Sequence, residues 1–293
     1  MKFNENKKSL FLALKDRTHS IFSDSRFLPL FLLFIAFLLL SIFSTILYEK
    51  IPLIFSYSLW GEESFYSGII VNMYSSAIDF FFFSIGLYFL MVNYEKREQI
   101  KKYRNNIDDT RFWFSAEAAF KNYANIRRLQ ELGVNSIDFS KCYLENTKPK
   151  GLKLNNSSAM GAILNSCNFE DSCFFETSFR GAFAKKASFY KTKIIKCEMS
   201  YLKFNDGNMK SSYLEDVTLI KAELDGANFH SARFNRCNFK NASIADCNME
   251  RADLRGAINL TVAQLLKCKS LKYAKIDESL EKEIRQINPK LFA

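Results

Sequence analysis

The side chains that most often carry chemistry are few in this sequence and widely separated. There are two histidines, His19 and His230, and no serine, cysteine or pair of carboxylates is fixed near either of them by a sequence pattern. The seven cysteines include no Cys-x-x-Cys pair and no Cys/His group with the spacing of zinc ligands. No glycine-rich phosphate loop is present either. We therefore predict surface histidines, no catalytic residue, no metal, no cofactor and a protein that is not an enzyme.

A run of lysines is the first feature that could bind a ligand. Clustered basic side chains are typical of surfaces that contact phosphates of nucleic acids or lipids. The candidate surface-binding residues are Lys185, Lys186, Lys191, Lys193 and Lys196.

The second such feature is an acid within an apolar segment. Asp79 is the one charged residue between Gly68 and Val92, and Asn72 lies seven residues, or two helical turns, before it on the same helix face. A charge inside a membrane span is costly and marks a functional or packing site. We predict that Asp79 and Asn72 hydrogen-bond to Ser41, Ser44 or Thr45 or to another subunit; a pore or proton role is the alternative.

These residues require elements to hold them, and two apolar runs are long enough to cross a bilayer. Residues 27–48 are free of charge, and at 1.5 Å per residue they span roughly 33 Å. Six Lys/Arg precede this run, one lies in the loop 49–67 and five closely follow 68–92. The positive-inside rule then predicts a two-span membrane protein with both termini in the cytoplasm and the loop 49–67 outside.

A period of five residues dominates the second half of the chain. Every fifth residue from Phe139 to Leu254 is large and apolar except Pro149, Ala159 and Ala184. The residue two places earlier is small in 21 of 24 cases, the exceptions being Ile137, Leu152 and Leu202. Neither the helical period of 3.6 nor the strand period of 2 explains this pattern. A fixed internal repeat predicts a solenoid whose units bury their apolar face by stacking on one another.

The repeat resembles the A-(D/N)-(L/F)-x-x motif of pentapeptide-repeat proteins. The units that carry the resemblance include Ala222-Glu-Leu-Asp-Gly, Ala227-Asn-Phe-His-Ser, Cys237-Asn-Phe and Ala252-Asp-Leu-Arg-Gly. The resemblance implies an all-β, right-handed, quadrilateral β-helix with four pentapeptides per coil, in which the central residue and the small residue two before it point inward. Residues 20 apart would then stack.

This register gives expectations for the cysteines and lysines. Five cysteines occupy the small inward position and should be buried in place of alanine, whereas Cys173 and Cys268 fall outside the pattern. Carboxylates one coil away should turn the lysine run into an ion-pair ladder. The five cysteines are Cys142, Cys167, Cys197, Cys237 and Cys247, and the expected pairs are Lys186 with Asp206, Lys191 with Asp171, and Lys196 with Glu176 or Asp216.

Both ends of the repeat carry helix signals. Ser115 is a candidate N-cap for a helix that runs to Gly133 with Ala119, Tyr123, Ile126 and Leu129 on its apolar face. Thr261 and Gln264 form a capping-box pattern, and Asp277 or Ser279 can open a second helix. The predicted organisation is a basic N-terminal segment 1–26, a first span 27–48, an external loop 49–67, a second span 68–92, a helical stalk and N-terminal cap 93–133, the β-helix 134–260 and a C-terminal helical cap 261–293.

The functional prediction follows from this membrane α-helical hairpin with its attached solenoid. We expect a non-enzymatic, membrane-anchored scaffold that binds a cytoplasmic protein and forms a homo-oligomer. The alternative is an oligomeric membrane effector or pore-forming protein in which the solenoid senses or assembles. Between residues 134 and 260 there are 18 Lys/Arg and 14 Asp/Glu, a net charge of +4 that argues against the acidic DNA-mimic role known in the family. Nucleic acid is not an expected partner, and the lipid bilayer is.

Overall fold

The computed structural model describes residues 27–50 and 63–293. The chain divides into two compact units, one that ends at Arg97 and one that begins at Glu98. The predictions for the N-terminal segment, for His19 and for most of the loop 49–67 lie outside the described residues.

Two apolar helices make up the described part of the first unit. Helix α1 spans Phe27–Lys50, and helix α2 spans Glu63–Asp109. Each contains a stretch long and apolar enough to cross a membrane, Leu28–Leu47 and Ser67–Asp109 respectively. Helix α2 does not end where the second predicted span does, but continues unbroken through the first part of the predicted stalk.

One face of α2 packs against α1. The hydroxyls of Thr45 and Tyr74 lie 3.0 Å apart, and the rings of Phe34 and Phe81 have centroids 4.9 Å apart. Ala77 of α2 is buried along this face.

The remainder of the predicted stalk is a second, separate helix. Helix α3 spans Ala116–Glu131, and its first turn is capped by Ser115, whose side-chain oxygen accepts a hydrogen bond from the backbone N–H of Ala118 at 3.1 Å. The N-cap prediction is confirmed. The predicted apolar face is buried at Ala119, Ile126 and Leu129, and Tyr123 is half-buried against the core.

A parallel β-solenoid follows α3. Each of its five short strands pairs in register with residues 20 further along, so four turns separate the first strand from the fifth. Single parallel bridges join the intervening positions of successive turns, from Asp138 with Ser158 to Asp253 with Lys275. The strands are β1 Lys153–Asn155, β2 Cys173–Phe175, β3 Lys193–Ile195, β4 Tyr213–Glu215 and β5 Arg233–Asn235.

The five-residue pattern places the core inside these turns. Every central position from Phe139 to Leu254 is buried, and so is every position two residues earlier except the half-buried Thr147. Phe189 shows the packing density, because its ring contacts those of Phe169, Phe174, Phe179 and Phe204 at centroid distances of 4.9 to 5.9 Å. The predicted inward register is confirmed.

The corners between repeat units use a backbone conformation that the sequence did not reveal. Every fifth residue from Lys141 to Gly256 has a positive φ, between 48° and 73°. Five of these positions are glycine, and the others carry a Cβ that costs about 1–2 kcal/mol in this region. The hydrogen bonds between successive turns hold the corners in place, since corner N–H groups such as that of Lys186 donate to a carbonyl of the next turn, here Asn205 at 2.9 Å.

The C-terminal segment packs against the last turns. Helix α4, Val262–Leu265, opens with the predicted capping box, and Gln264 Nε2 also donates to the carbonyls of Phe239 and Ala242 at 3.0 and 2.8 Å. Helix α5 spans Glu278–Ile287 and begins after Asp277, and a 3₁₀ turn spans Pro289–Phe292. The side chains that join the core are those of Leu265, Leu271, Ile276, Ile284 and Leu291.

Candidate functional site

The cysteines are mostly structural. All seven are free thiols, and the five at small inward positions are buried as predicted. Burial raises the pKa of Cys142, Cys197 and Cys237 to about 12, so these thiols stay protonated at neutral pH. Cys268, which the repeat did not place, is also buried, with its Sγ 3.6 Å from the carbonyl oxygen of Ile244.

Cys173 is the exception, because it lies on the outside of strand β2 and is half-exposed. Its neighbours in register on the adjacent strands are Lys153 and Lys193. In the described parts of the chain no three His, Cys, Asp or Glu side chains form a group that could hold a metal ion.

His230 lies on the outside of the solenoid and is half-buried. Its ring Nδ1 lies 3.0 Å from the hydroxyl of Ser231, the next residue, and its backbone N–H donates to Asn228 Oδ1 at 3.1 Å. No carboxylate hydrogen-bonds to this ring within residues 63–293, so the contact lacks the third group that orients a catalytic histidine.

The five candidate lysines do not form one patch. All are exposed, but they are spread over about half of a 20-residue turn, and Lys193 lies on strand β3 whereas Lys185 and Lys186 lie half a turn away. The predicted ion-pair ladder is wrong, since none of these lysines forms an ion pair in the described solenoid. Lys191 and Lys196 lie instead over the rings of Tyr190 and Phe175, at 5.0 and 5.6 Å from the centroids.

One carboxylate of the expected ladder, Asp216, has another partner. Arg236, one turn away, donates to Asp216 from Nε at 2.7 Å and from Nη2 at 2.8 Å, and this contact lowers the pKa of the Asp216 carboxyl. Lys196 lowers the same pKa through its charge without pairing. At Asp216 the expected pair fails because a bidentate guanidinium outcompetes a flexible ammonium for a surface carboxylate.

Asp79 and Asn72 are both exposed on α2, on the side turned away from α1. Asp79 is two residues, and hence about 200° of helix rotation, from the buried Ala77. The predicted hydrogen bonds to α1 do not form: the Ser41 hydroxyl donates to the Phe37 carbonyl at 3.0 Å, and the Thr45 hydroxyl contacts the Ser41 carbonyl and Tyr74.

A group of outward aromatic residues on the solenoid was not among the predicted sites. Phe183 and Tyr201 are 41% and 44% exposed, which is unusual for rings on a folded surface without a partner. Lys203, in register with Phe183 one turn later, places its Nζ 4.8 Å from the Phe183 ring centroid.

Tyr201 has a cation on each side along the solenoid. The Arg180 guanidinium lies 5.7 Å from its ring centroid, and the Lys221 ammonium lies 5.6 Å from it. Among the described residues, Arg180, Lys203 and Lys221 form no ion pair with a carboxylate. Glu223 is joined to Lys203 only by a β-bridge of the backbone. We call the five residues Arg180, Phe183, Tyr201, Lys203 and Lys221 the aromatic ridge.

The ridge combines exposed apolar area with unneutralised positive charge. The cations are held near the rings by the attraction between a positive charge and an aromatic face, worth about 0.5–1 kcal/mol at exposed sites. This arrangement suits a partner that offers carboxylates together with apolar surface. A signal was present in the sequence: Tyr201 occupies a corner position at which most repeat units have a small, polar or charged residue.

Comparison with known proteins bears on the solenoid alone. The family model for pentapeptide repeats matches residues 222–258, in eight copies. No curated protein matches the chain.

Several solved structures resemble part of the chain. QnrB1, a plasmid-mediated fluoroquinolone resistance protein, is 14% identical, with 52% of this chain and 86% of that chain covered and a TM-score of 0.32. HetL, a pentapeptide repeat protein involved in heterocyst differentiation regulation from the cyanobacterium Nostoc sp. strain PCC 7120, is 18% identical, with 52% and 90% covered and a TM-score of 0.17. Rfr23, from the cyanobacterium Cyanothece 51142, is 13% identical, with 53% and 99% covered and a TM-score of 0.20.

The repeat pattern, the burial of its central residues and the pairing of residues 20 apart agree with the family match over residues 222–258. Residues 222–258 of this chain are pentapeptide repeats.

Proposed function

We propose that the protein is a non-enzymatic, membrane-anchored scaffold whose solenoid binds a cytoplasmic protein through the aromatic ridge. Helices α1 and α2 cross the bacterial inner membrane, and both termini and the solenoid lie in the cytoplasm. The observation that carries the binding role is the ridge itself, two exposed rings flanked by three cations that pair with no carboxylate of residues 27–50 or 63–293.

Membrane anchoring is supported by the exposed apolar side chains of the two helices. Leu39 of α1 and Leu90 of α2 are 58% and 69% exposed, and many of their neighbours are similarly open. Apolar surface of this extent is unfavourable in water and favourable in the hydrocarbon core of a bilayer.

The scaffold role requires a solenoid that does not polymerise. We infer a right-handed, four-sided column in which the helices at both ends act as caps. At the first turn, Asn122 of α3 donates to the carbonyl of Tyr143 at 3.1 Å and Arg111 donates to that of Ser140 at 2.6 Å, and Gln264 does the same for carbonyls of the last turns. Edge groups used in this way are unavailable for strand addition by another chain. Binding is then confined to the sides of the column.

The ridge is tested by photo-crosslinking in cells. A benzophenone amino acid at position 201 of the full chain should give a discrete crosslinked product with an acidic protein, and the same probe at Tyr213, on another side of the column, should not. Reversing the charge of the flanking cations in the variant Arg180→Glu/Lys221→Glu should abolish the product. Equal crosslinking from positions 201 and 213 would exclude the ridge as the binding face. Reporter fusions at each terminus independently test the topology.

A second candidate function rests on the position of Asp79. Because Asp79 and Asn72 face away from α1, a lipid-embedded α2 would expose a carboxylate to hydrocarbon unless another subunit covers it. We propose, as the alternative, an oligomeric effector in which this face lines a contact or a pore between subunits. If induction of the wild type leaves membrane potential and growth unchanged, this alternative is wrong; depolarisation that requires Asp79, and is lost in Asp79→Asn, supports it.

A further inference from the structure

The turn between α2 and α3 presents the largest group of exposed aromatic rings in the second unit. Phe112 and Phe114 are each 60% exposed, Trp113 is 42% exposed, and Phe120 on the first turns of α3 is 69% exposed. We call these four residues the aromatic elbow.

The backbone of the elbow is held rigidly. The Arg111 guanidinium donates to Asp138 Oδ2 at 2.9 Å and to the Ser140 carbonyl at 2.6 Å, and it also pairs with Asp108. The buried Thr110 hydroxyl contacts Asn122 Oδ1. The rings therefore project from a fixed turn that is fastened to the first turn of the solenoid.

One of the rings is held at a backbone conformation that disfavours it. Phe112 has φ of 61°, in the left-handed region that bulky residues rarely adopt, and its N–H donates to the Lys141 carbonyl at 3.3 Å. The corners of the solenoid share this conformation, so it fixes the turn but does not by itself mark a binding site. Lys141 Nζ lies 5.2 Å from the Phe112 ring centroid, and the Phe114 ring lies edge-on to that of Tyr143 at a centroid distance of 6.1 Å. Both residues nevertheless remain 60% exposed.

A cleft adjoins the projecting rings. Its volume is about 470 Å³, Trp113 and Phe120 form apolar walls, and Asp109, Lys121 and Arg128 supply charges of both signs. Lys121 Nζ lies 5.0 Å from the Trp113 ring centroid. Asp109 forms no ion pair within the described second unit.

We propose that the aromatic elbow is a self-association site, in which two copies of this chain each insert a projecting Phe112 or Phe114 ring into the cleft of the other. A projection and a matching cleft on the same patch are what a two-fold contact requires, since each copy must supply both halves. The charges are self-complementary as well, because Asp109 of one copy can pair with Arg128 of the other, whereas Lys121 already pairs with Glu117 on its own helix at 2.6 Å.

Two observations favour a second copy over the other occupants. Nine of the fifteen residues from Glu95 to Asp109 are charged, so the segment that leads into the elbow is polar and does not suit the apolar interior of a bilayer. The cleft carries both signs of charge, so it shows no preference for a strongly acidic or basic partner.

The area of the elbow fits an association that depends on confinement. Four aromatic side chains bury about 150–250 Å² each when fully covered, and roughly half of that area is exposed here, so about 300–500 Å² per copy would be covered. That is below the roughly 800 Å² per partner of a standard interface. Two copies confined to one membrane have a high effective concentration, which makes such a contact sufficient. The proposal rests on the proposed membrane anchoring in this one respect.

The test is disulfide crosslinking of the full chain in native membranes. In a Cys173→Ser background, which removes the one thiol that is not buried, Phe114→Cys is compared with Lys210→Cys on the side of the solenoid. Oxidation with copper phenanthroline should give about tenfold more dimer from position 114 than from position 210, because contact between copies places the two thiols together. Phe120→Cys provides a second probe should the first variant fold poorly. Equal crosslinking of all three positions would refute the proposal.

A fluorescence measurement completes the test. The chain has two tryptophans, so Trp60→Phe leaves Trp113 as the sole reporter. Emission from Trp113 should shift to longer wavelength as the protein is diluted with phosphatidylcholine and phosphatidylglycerol in proteoliposomes. The proposal is overturned if the Trp113 emission wavelength does not depend on dilution. It is also overturned if the emission is at short wavelength only when another protein co-purifies with the chain. Release of the chain by alkaline carbonate would instead refute membrane anchoring, and this result is independent of the crosslinks.

Discussion

The solenoid and the two apolar helices contain similar apolar side chains, but the solenoid buries them and the helices leave many of them exposed. Phe189 in the solenoid is fully buried, whereas Phe82 in α2 is 67% exposed. The solenoid covers each apolar residue with the residues 20 before and 20 after it, so the chain itself supplies the apolar environment. In α1 and α2 only one face of each helix is covered by the other helix. A similar composition therefore specifies a self-sufficient core in one region and an exposed apolar surface in the other.

The largest expected effect is the loss of a ring from the solenoid core. Phe189→Ala removes a side chain that contacts four other rings and leaves a cavity, so the free energy of unfolding should fall by about 3–5 kcal/mol. Phe82→Ala is the matched change on α2, and it should leave the unfolding of the solenoid unchanged. Urea unfolding in detergent, followed by far-UV circular dichroism, measures both. Equal losses would contradict the separation between the two regions.

The second prediction concerns Asp79 in α2, where a substitution should change the free energy of membrane insertion by nearly as much as Phe189→Ala changes that of unfolding. Asp79→Leu replaces an exposed carboxylate with an apolar side chain and should favour membrane insertion of α2 by about 3 kcal/mol. A translocon insertion assay on the α2 segment gives this value directly. Glu95→Leu, close to the polar end of the apolar stretch, is the control and should have a much smaller effect. If the two substitutions are equivalent, residues 68–92 do not lie where we place them in the bilayer.

Glycine-to-alanine substitutions should have opposite signs in the two regions. A Cβ at Gly207 would lie 2.3 to 2.5 Å from atoms of the Phe204 ring, so Gly207→Ala should destabilise the solenoid by about 1–3 kcal/mol. A Cβ at Gly86 on α2 meets nothing within 4 Å, and Gly86→Ala should be neutral or stabilise the helix by up to about 1 kcal/mol. Thermal unfolding of the two variants in detergent decides the point; a stabilised Gly207→Ala variant would be inconsistent with the packing described.

The smallest predicted effect concerns the corners of the solenoid. Lys186 has φ of 58°, where glycine has no steric penalty, so Lys186→Gly should be neutral or stabilise by about 0.5 kcal/mol after the flexibility of glycine is counted. The same change at the exposed helical residue Lys101 should destabilise by about 1 kcal/mol. Chemical denaturation of both variants gives the change in the free energy of unfolding for each. A stability loss at position 186 as large as that at position 101 would show that the corner is not strained.

Much of the solenoid could be predicted from the sequence because inward positions are selected by size and polarity. The register, the burial of five cysteines and the caps at Ser115 and Thr261 all follow from such local constraints. The positive φ at every fifth residue could not be predicted, because only five of those positions are glycine and the hydrogen bonds of the next turn impose the conformation. Cys268 was missed because the chain inserts α4 before it and the five-residue count no longer applies.

Outward contacts were much harder to predict. The lysine ladder failed because surface ion pairs contribute little and because, at Asp216, an arginine binds the carboxylate instead. The aromatic ridge depends on which way Arg180 and Lys221 turn. For the elbow, the sequence indicated the helix start at Ser115 but neither the end of α2 at Asp109 nor the exposure of the rings between them. Both sites depend on contacts between residues far apart in sequence, and the five-residue repeat carries no information about such contacts.

The constant separation of 20 residues between paired strands also determines when the solenoid can form during synthesis. Each turn pairs only with the turns immediately before and after it, so a turn can pair with the one before it as soon as its own 20 residues have left the ribosome, about 1–4 s after the previous one at typical elongation rates. The apolar helices precede the solenoid in the chain and are made first. Growth of the solenoid therefore starts from the end next to α3, and the C-terminal helices, made last, can close it only when all turns are in place.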